Sequence, residues 1–197
     1  MPAAPEPSTN TNLFHPPTPG AGGKGAPERT TLIDQDAASH FVRAAAASPG
    51  VTRFVLVSYL GARRARPAWW DAEAWAGAQA SNGGAMARYH AAKVAADEAL
   101  VRAARGRPEG FAAVALRPGT LTDGVAGGVE LGRTAGAAGA VRRASVAAVV
   151  DALLAEEGVR TCWLDLLDGE NEVAEAVREV VAAGVDAVEG EPVAEEE

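Results

Sequence analysis

The sequence predicts an α/β protein built on a parallel sheet, and three observations carry that reading. Arg53–Ser58, Phe111–Leu116 and Thr161–Leu167 are short, nearly continuous apolar runs, the mark of strands buried on both faces. Stretches rich in alanine and helical in their apolar spacing alternate with them, which is the order of right-handed βαβ units. The chain of 197 residues also holds only four Trp, two Tyr and four Phe, although nearly half of it is apolar. That balance of alanine and valine disfavours an all-β fold. The length suits one domain with a real core.

Taken in order, residues 1–30 are Pro, Gly, Thr and Ala, with Leu13 and Phe14 the large apolar exceptions, and read as a disordered tail. Within it Gly20-Ala21-Gly22-Gly23-Lys24-Gly25 has the spacing G-x-G-x-x-G. A phosphate-binding turn needs a strand directly before it and a helix directly after. His15-Pro16-Pro17-Thr18-Pro19 and Ala26-Pro27 supply neither, so the stretch reads as a decoy. From Thr31 the texture changes. Asp34 or Asp36 caps a helix to about Ala47, with Phe41, Val42 and Ala45 on its apolar side, and Ser48-Pro49-Gly50 ends it. The strand Arg53–Ser58 follows. Gly61 to Gly84 is irregular, and its Trp69, Trp70 and Trp75 either line a ligand site or seal the sheet edge.

A helix from Ala87 to about Ala104 stops at Arg107-Pro108-Glu109-Gly110. The second strand, Phe111–Leu116, ends at Arg117-Pro118-Gly119, a turn at the carboxyl end of a strand, where open parallel sheets place ligands. Gly127 to Gly132 reads as a short strand. Ser145 caps a helix from Val146 to Glu156, with Val149, Val150, Leu153 and Leu154 inward. The strand Thr161–Leu167 and an amphipathic helix over Val173 to Ala183 complete the pattern. Residues 188–197, with Glu189, Glu191 and Glu195 to Glu197, read as an acidic tail in solvent.

The net charge of −8 argues against nucleic-acid and anionic-membrane partners. No apolar run approaches the roughly eighteen residues of a membrane span, and no signal pattern opens the chain, so a cytoplasmic location is expected. The single cysteine, Cys162, fits a reducing compartment and reads as a buried small hydrophobe. No metal site is expected.

The stretch with chemistry in it is Tyr89-His90-Ala91-Ala92-Lys93. Four residues apart on a helix, Tyr89 and Lys93 share a face. An ammonium beside a phenol favours the phenolate, lowering the tyrosine pKa from about 10 and equipping it as an acid or base on a carbonyl or alcohol. The chain has only two lysines against sixteen arginines, so Lys93 reads as a specific choice of a compact ammonium. The plain alternative is a solvated Lys93 paired with Asp97, also four residues away.

These residues together resemble the short-chain dehydrogenase/reductase superfamily, and more closely its atypical, NmrA-like or NAD(P)H-binding-domain branch. Asp34-Gln35-Asp36 leads into a helix ending in Ala44 to Ala47. Arg53–Ser58 is similar to the family strand that ends in a hydroxyl residue. Tyr89 to Lys93 matches its Y-x-x-x-K helix, and Leu116-Arg117-Pro118-Gly119-Thr120 its R-P-G turn, with Arg143-Ala144-Ser145 downstream. The resemblance implies a partial Rossmann-like parallel sheet over residues 31–187, comprising strands four to seven of the family order. It also implies an NAD(P) cofactor and hydride transfer to a small carbonyl-type substrate.

In such an enzyme Tyr89 exchanges the proton, and Lys93 lowers its pKa and holds the nicotinamide ribose. Pro118 and Gly119 offer backbone groups to the nicotinamide amide, and Ser58 orients the substrate oxygen. Some relatives carry that hydroxyl one residue later, where this chain has Tyr59. Atypical members also include cofactor-sensing regulators without activity. The family's glycine-rich first βα units have no counterpart in the sequence, so the chain also reads as a truncated fragment. Loss of the helix N-terminus that neutralises the pyrophosphate is expected to remove most dinucleotide affinity. The strand Arg53–Ser58 is then expected to be a bare sheet edge, open to self-association.

Overall fold

A computed structural model describes residues 13–15, 27–107 and 109–196. Three of its strands are the three apolar runs: β2 (Arg53–Val57), β3 (Ala112–Pro118) and β7 (Cys162–Asp168), paired in parallel in that order. β3 lies in the middle, and Ala113 to Leu116 are almost wholly inaccessible. A strand so enclosed can be apolar at every position, which is why it was legible as a run instead of an alternation. The short β5 (Val129–Gly132) joins the far side of β7 antiparallel, so the sheet is mostly rather than wholly parallel.

The other edge is not bare. β1 (Leu13–His15) pairs in parallel with β2, Leu13 opposite Phe54 and His15 opposite Leu56. It is followed by a helical segment starting at Pro27: α1 (Pro27–Thr30), a π-helical stretch (Thr31–Ala37) and α2 (Ala38–Ala47). A strand before Gly20 to Gly25 and a helix after it, both denied by the sequence reading, are therefore present. The glycine-rich stretch and the rest of the expected disordered tail, residues 1–12 and 16–26, lie outside the described residues.

Helices cover both faces. α2 and α4 (Ala87–Arg105) pack on one side, where Val42, Ala45, Leu56, Leu100 and Phe111 form one apolar cluster. α5 (Arg143–Ala155) and α6 (Val173–Ala183) cover the other, with Val114, Leu116, Val149, Leu153 and Val177. A small parallel pair, β4 (Thr120–Thr122) and β6 (Ala140–Arg142), extends beyond the carboxyl end of β3.

Three local expectations are corrected. The stretch Gly61 to Gly84 contains a helix, α3 (Ala72–Gly83), whose N-cap Asp71 accepts from the Ala74 amide at 2.7 Å. Ser145 is not a cap but sits inside α5, fully buried, where its hydroxyl accepts from the Gly127 amide at 3.1 Å. Asp34 is not a cap either; it is buried within the π-helical stretch.

The acidic C-terminal segment also packs back instead of extending into solvent. Glu191 and Val193 are buried, and α7 (Pro192–Glu195) rests on α4. What holds it is a buried charge cluster. Arg63 Nη2 donates to Asp165 Oδ2 at 2.7 Å, Arg63 Nη1 to the Ala187 carbonyl at 2.9 Å, and the Arg64 amide to Glu191 Oε2 at 2.9 Å. Arg63 lies over the rings of Trp69 and Trp70, and Arg117 lies 4.4 Å from the centre of the Trp163 ring. Among the described residues no helix is long and apolar enough to cross a membrane.

Candidate active site

The carboxyl ends of β2 and β3 open into a cavity of about 740 Å3, bounded by α3, the start of α4 and the segment 136–139. Ser58, Tyr59, Tyr89, Pro118 and Gly119 all line it. The structure thus brings every sequence-predicted site residue to its wall except Lys93, which lies beneath it. A cavity of about 700 Å3 at the opposite, amino end of the strands contains none of them.

Lys93 and Tyr89 share a face of α4 as their spacing requires, with the Lys93 ammonium 5.6 Å from the centre of the tyrosine ring. The ammonium is nearly buried. It donates to the Val57 carbonyl at the end of β2 at 3.0 Å and lies 3.6 Å from Asp34 Oδ1. Its ion-pair partner is therefore Asp34, not Asp97. This contact joins three elements, the π-helical stretch, β2 and α4, below the cavity.

The lysine does not depress the Tyr89 pKa. Burial, then the carboxylate of Asp34, Tyr59 and Asp97, push it well above the ordinary 10. The ammonium's field is directed at Asp34 and Val57, and the neighbouring carboxylates disfavour a second negative charge. Tyr89 is thus a neutral phenol at physiological pH. Among the described residues it makes no hydrogen bond.

Tyr59 is the neighbouring phenol, its ring centre 5.2 Å from that of Tyr89 with the planes tilted by 43°. Its hydroxyl donates to Asn82 Oδ1 at 2.6 Å, and Asn82 donates in turn to the Gly61 carbonyl at 2.9 Å. Burial pushes the Tyr59 pKa up as well, partly offset by Arg117. Ser58, the expected orienting residue, donates its hydroxyl to Asp97 Oδ2 at 2.8 Å, inside the protein. Asp97 is wholly enclosed, and burial raises its pKa from 3.8 to about 6 against the pull of Arg117, Ser58 and Lys93.

The backbone of the Arg117-Pro118-Gly119 turn is occupied too. The Pro118 carbonyl accepts from the Leu60 amide at 2.9 Å, and the Gly119 amide donates to the Leu166 carbonyl at 3.0 Å. Glycine is needed at 119 because a Cβ there would lie 2.5 Å from the Gly139 carbonyl oxygen and from Leu167 Cδ2. The glycine thus serves close packing of the turn on β7. The three tryptophans do not line the cavity. Trp70 and Trp75 pack with Leu60 and Leu167 behind its wall, and Trp70 Nε1 donates to the Thr134 carbonyl at 3.0 Å.

Sequence reasoning missed Asp34 as the partner of Lys93 and Asn82 as the partner of Tyr59. Neither stands at a helical or strand spacing from its partner, so no local pattern could have announced them.

A mostly parallel sheet with helices on both faces, and a Tyr-x-x-x-Lys helix at the carboxyl ends of its strands, defines a Rossmann-like protein of the short-chain dehydrogenase/reductase type. Residues 18–157 match the NAD(P)H-binding family, and the chain belongs to it, within the atypical branch of that superfamily. The match takes in the glycine-rich stretch Gly20 to Gly25. The chain is 30% identical over 168 residues to the uncharacterized sugar epimerase YhfK of Bacillus subtilis (strain 168), covering 83% of this chain and 66% of that protein.

Among solved structures it resembles a Bacillus halodurans protein described as an NAD-dependent epimerase/dehydratase. The TM-score is 0.63 at 23% identity, over 81% of this chain and 66% of that one. It also resembles the oxidoreductase ylbE of Lactococcus lactis, with a TM-score of 0.60 at 22% identity, over 83% and 65% of the two chains. These two likenesses establish the fold. The chain spans about two thirds of the length of these relatives.

The residues present fit the nicotinamide end of such a nucleotide. A phenol that makes no hydrogen bond among the described residues stands on α4 at the wall of a cavity able to take a neutral ring, and a fixed ammonium lies beneath it on the same helix face, the pair being suited to ribose hydroxyls. The strand and helix that would frame a pyrophosphate-binding turn are β1 and the helical segment from Pro27.

Proposed function

We propose that this protein is an NAD(P)-dependent oxidoreductase that reduces a carbonyl group in the cavity, with Tyr89 as the proton donor. The observation that carries this reading is the placement of Tyr89: a phenol on the cavity wall that makes no hydrogen bond among the described residues, with its pKa pushed up by burial and by Asp34. Carbonyl reduction needs an acid at the oxygen, and a neutral phenol is that acid. A reduced nicotinamide, when bound, would supply the hydride. Tyr89 Oη transfers its proton to the carbonyl oxygen as negative charge develops there, and regains one from water through the open mouth. Lys93, fixed beneath the cavity by Val57 and Asp34, would help to hold the ribose of a bound cofactor and would offer a positive charge to the transient phenolate. The Ser58 hydroxyl is turned to Asp97 and the Tyr59 hydroxyl to Asn82, so Tyr89, with the Tyr59 ring packed beside it, is the phenol that meets the substrate oxygen.

The relatives include a protein described as a sugar epimerase and one described as an oxidoreductase. An epimerase that inverts a carbinol carbon through a transient ketone moves a hydride and a proton as a carbonyl reductase does, so both are compatible with this placement. The direct test is substrate-dependent oxidation of NADPH or NADH across a panel of aldehydes and ketones. Tyr89→Phe should lower kcat/KM by about 100-fold or more. Equal turnover by that variant removes Tyr89 from the mechanism.

A second reading, a cofactor-binding regulator without chemistry, is favoured by the engagement of the Ser58 hydroxyl and the Lys93 ammonium with internal carboxylates. Titrating cofactor against tryptophan fluorescence separates the two. Saturable binding with no turnover on the whole panel supports the regulator.

A further inference from the structure

The cavity around Tyr89 has an unusual wall for a protein whose relatives include a sugar epimerase. Among the described residues that line it, none is Asp, Glu, Lys, Arg or His. Leu60, Ala78, Met86, Leu121, Ala137 and Ala138 give it apolar surface, and glycines fill much of the rest. The nearby cations are spent elsewhere. Lys93 is held by Asp34 and Val57 below the floor, and Arg117, fully buried, donates to the Leu60 and Ala62 carbonyls at 3.3 and 2.6 Å.

The polar side chains of the wall are mostly spent as well. Tyr59 donates to Asn82, Asn82 to the Gly61 carbonyl, Ser81 to the Gly77 carbonyl and Ser58 to Asp97. A ligand with many hydroxyls would leave most of them unpaired, and a phosphate or carboxylate would lose water and meet no cation among the described residues of the wall. What remains is the Tyr89 phenol and the exposed hydroxyl of Thr120, set in an apolar surround.

We propose that the cavity takes a neutral, largely apolar carbonyl compound with a single reactive oxygen, and excludes phosphorylated, carboxylated and nucleotide-linked substrates. The inference rests on the reading of Tyr89 as the group that meets that oxygen. The polar end of the ligand bonds to Tyr89, while its hydrocarbon body lies between α3, Leu121 and the 136–139 segment.

The test uses the full chain with NADPH or NADH and two ligand sets. The first is the series 2-butanone to 2-octanone. The second compares 2-octanone with 7-oxooctanoate, which replaces the terminal methyl by a carboxylate, and with UDP-glucose. Turnover and binding are measured in parallel, binding by quenching of tryptophan fluorescence with cofactor present. Each methylene should improve kcat/KM or affinity about fourfold until the cavity is full, since it moves about 0.8 kcal/mol of apolar surface out of water. The carboxylate should lower them about 100-fold, and UDP-glucose, which has no carbonyl to reduce and is read by binding alone, should not bind.

A new cation on the wall, Ala78→Lys, should narrow the gap between 2-octanone and 7-oxooctanoate about tenfold or more, which a fault of folding would not do. If the ligands bind in this order without turnover, the ligand class stands and the reductase reading falls. If 7-oxooctanoate or UDP-glucose matches 2-octanone, or if none of the ligands binds, the ligand class is overturned.

Discussion

Asp97 offers the sharpest test of how the site is held together. It is completely enclosed on α4, accepts the Ser58 hydroxyl at 2.8 Å, and carries a pKa raised by burial from 3.8 to about 6. The folded chain therefore holds the Asp97 proton more tightly than the unfolded chain does. Between pH 4 and pH 6 the folded state binds the extra proton, so this group makes stability fall as pH rises through that window. Below pH 4 it is protonated in both states and the penalty is absent. Above pH 6 the penalty is complete. At about 1.4 kcal/mol per pH unit, the interval corresponds to about 3 kcal/mol.

The perturbation is Asp97→Asn, which keeps an acceptor for Ser58 and removes the titration. Urea unfolding of both proteins between pH 4 and pH 7.5 gives the free-energy difference between variant and wild type, in which the other titrating groups cancel. That difference should move by about 3 kcal/mol in favour of the variant as pH rises. Parallel curves, or a wild type that gains on the variant, would show that Arg117 and Lys93 outweigh burial at this carboxylate, and the account of the site's charge balance would fail.

Two further predictions concern groups outside the cavity. Arg63→Met should destabilise the fold by about 3–5 kcal/mol, because it leaves Asp165 and Glu191 buried without their nearest guanidinium; adding Asp165→Leu should recover much of that loss in the same unfolding assay. Cys162, whose thiol burial pushes up to about 12, should be alkylated by iodoacetamide at pH 8 about a thousandfold more slowly than a free cysteine, and at the ordinary rate once urea unfolds the chain.

The parts of this molecule that were legible beforehand are those whose pattern is local. Leu116 and its neighbours announce β3 because a strand covered on both faces has no polar positions to interrupt it. Tyr89 and Lys93 announce a shared face because four residues of α-helix fix where their side chains lie. The parts that were not legible depend on partners far along the chain.

Glu191 reads as one more glutamate of an acidic tail, and only the fold reveals that the Arg64 amide and the Arg63 guanidinium meet it. Lys93 finds Asp34 by tertiary packing and not Asp97 by helix geometry, and that choice reverses the expected effect on Tyr89. α3 was hidden for another reason. Its Ala, Gly and Trp show no amphipathic period, so only the Asp71 cap marked its start. β1 was hidden by its three-residue length between polar and proline-rich flanks; it needs β2 beside it to exist as a strand.

The central claim is that Tyr89 works as a neutral phenol that protonates a carbonyl oxygen. The most direct measurement is the rate of NADPH or NADH oxidation with 2-octanone, for wild type and Tyr89→Phe, from pH 6 to pH 9. With the Tyr89 pKa held well above 10, wild-type kcat should stay level across that range, and the phenylalanine variant should run about 100-fold or more below it at every pH. Equal rates in the two proteins, or a wild-type rate that falls away near pH 7 as an acid with an ordinary lowered pKa would make it fall, would contradict the account.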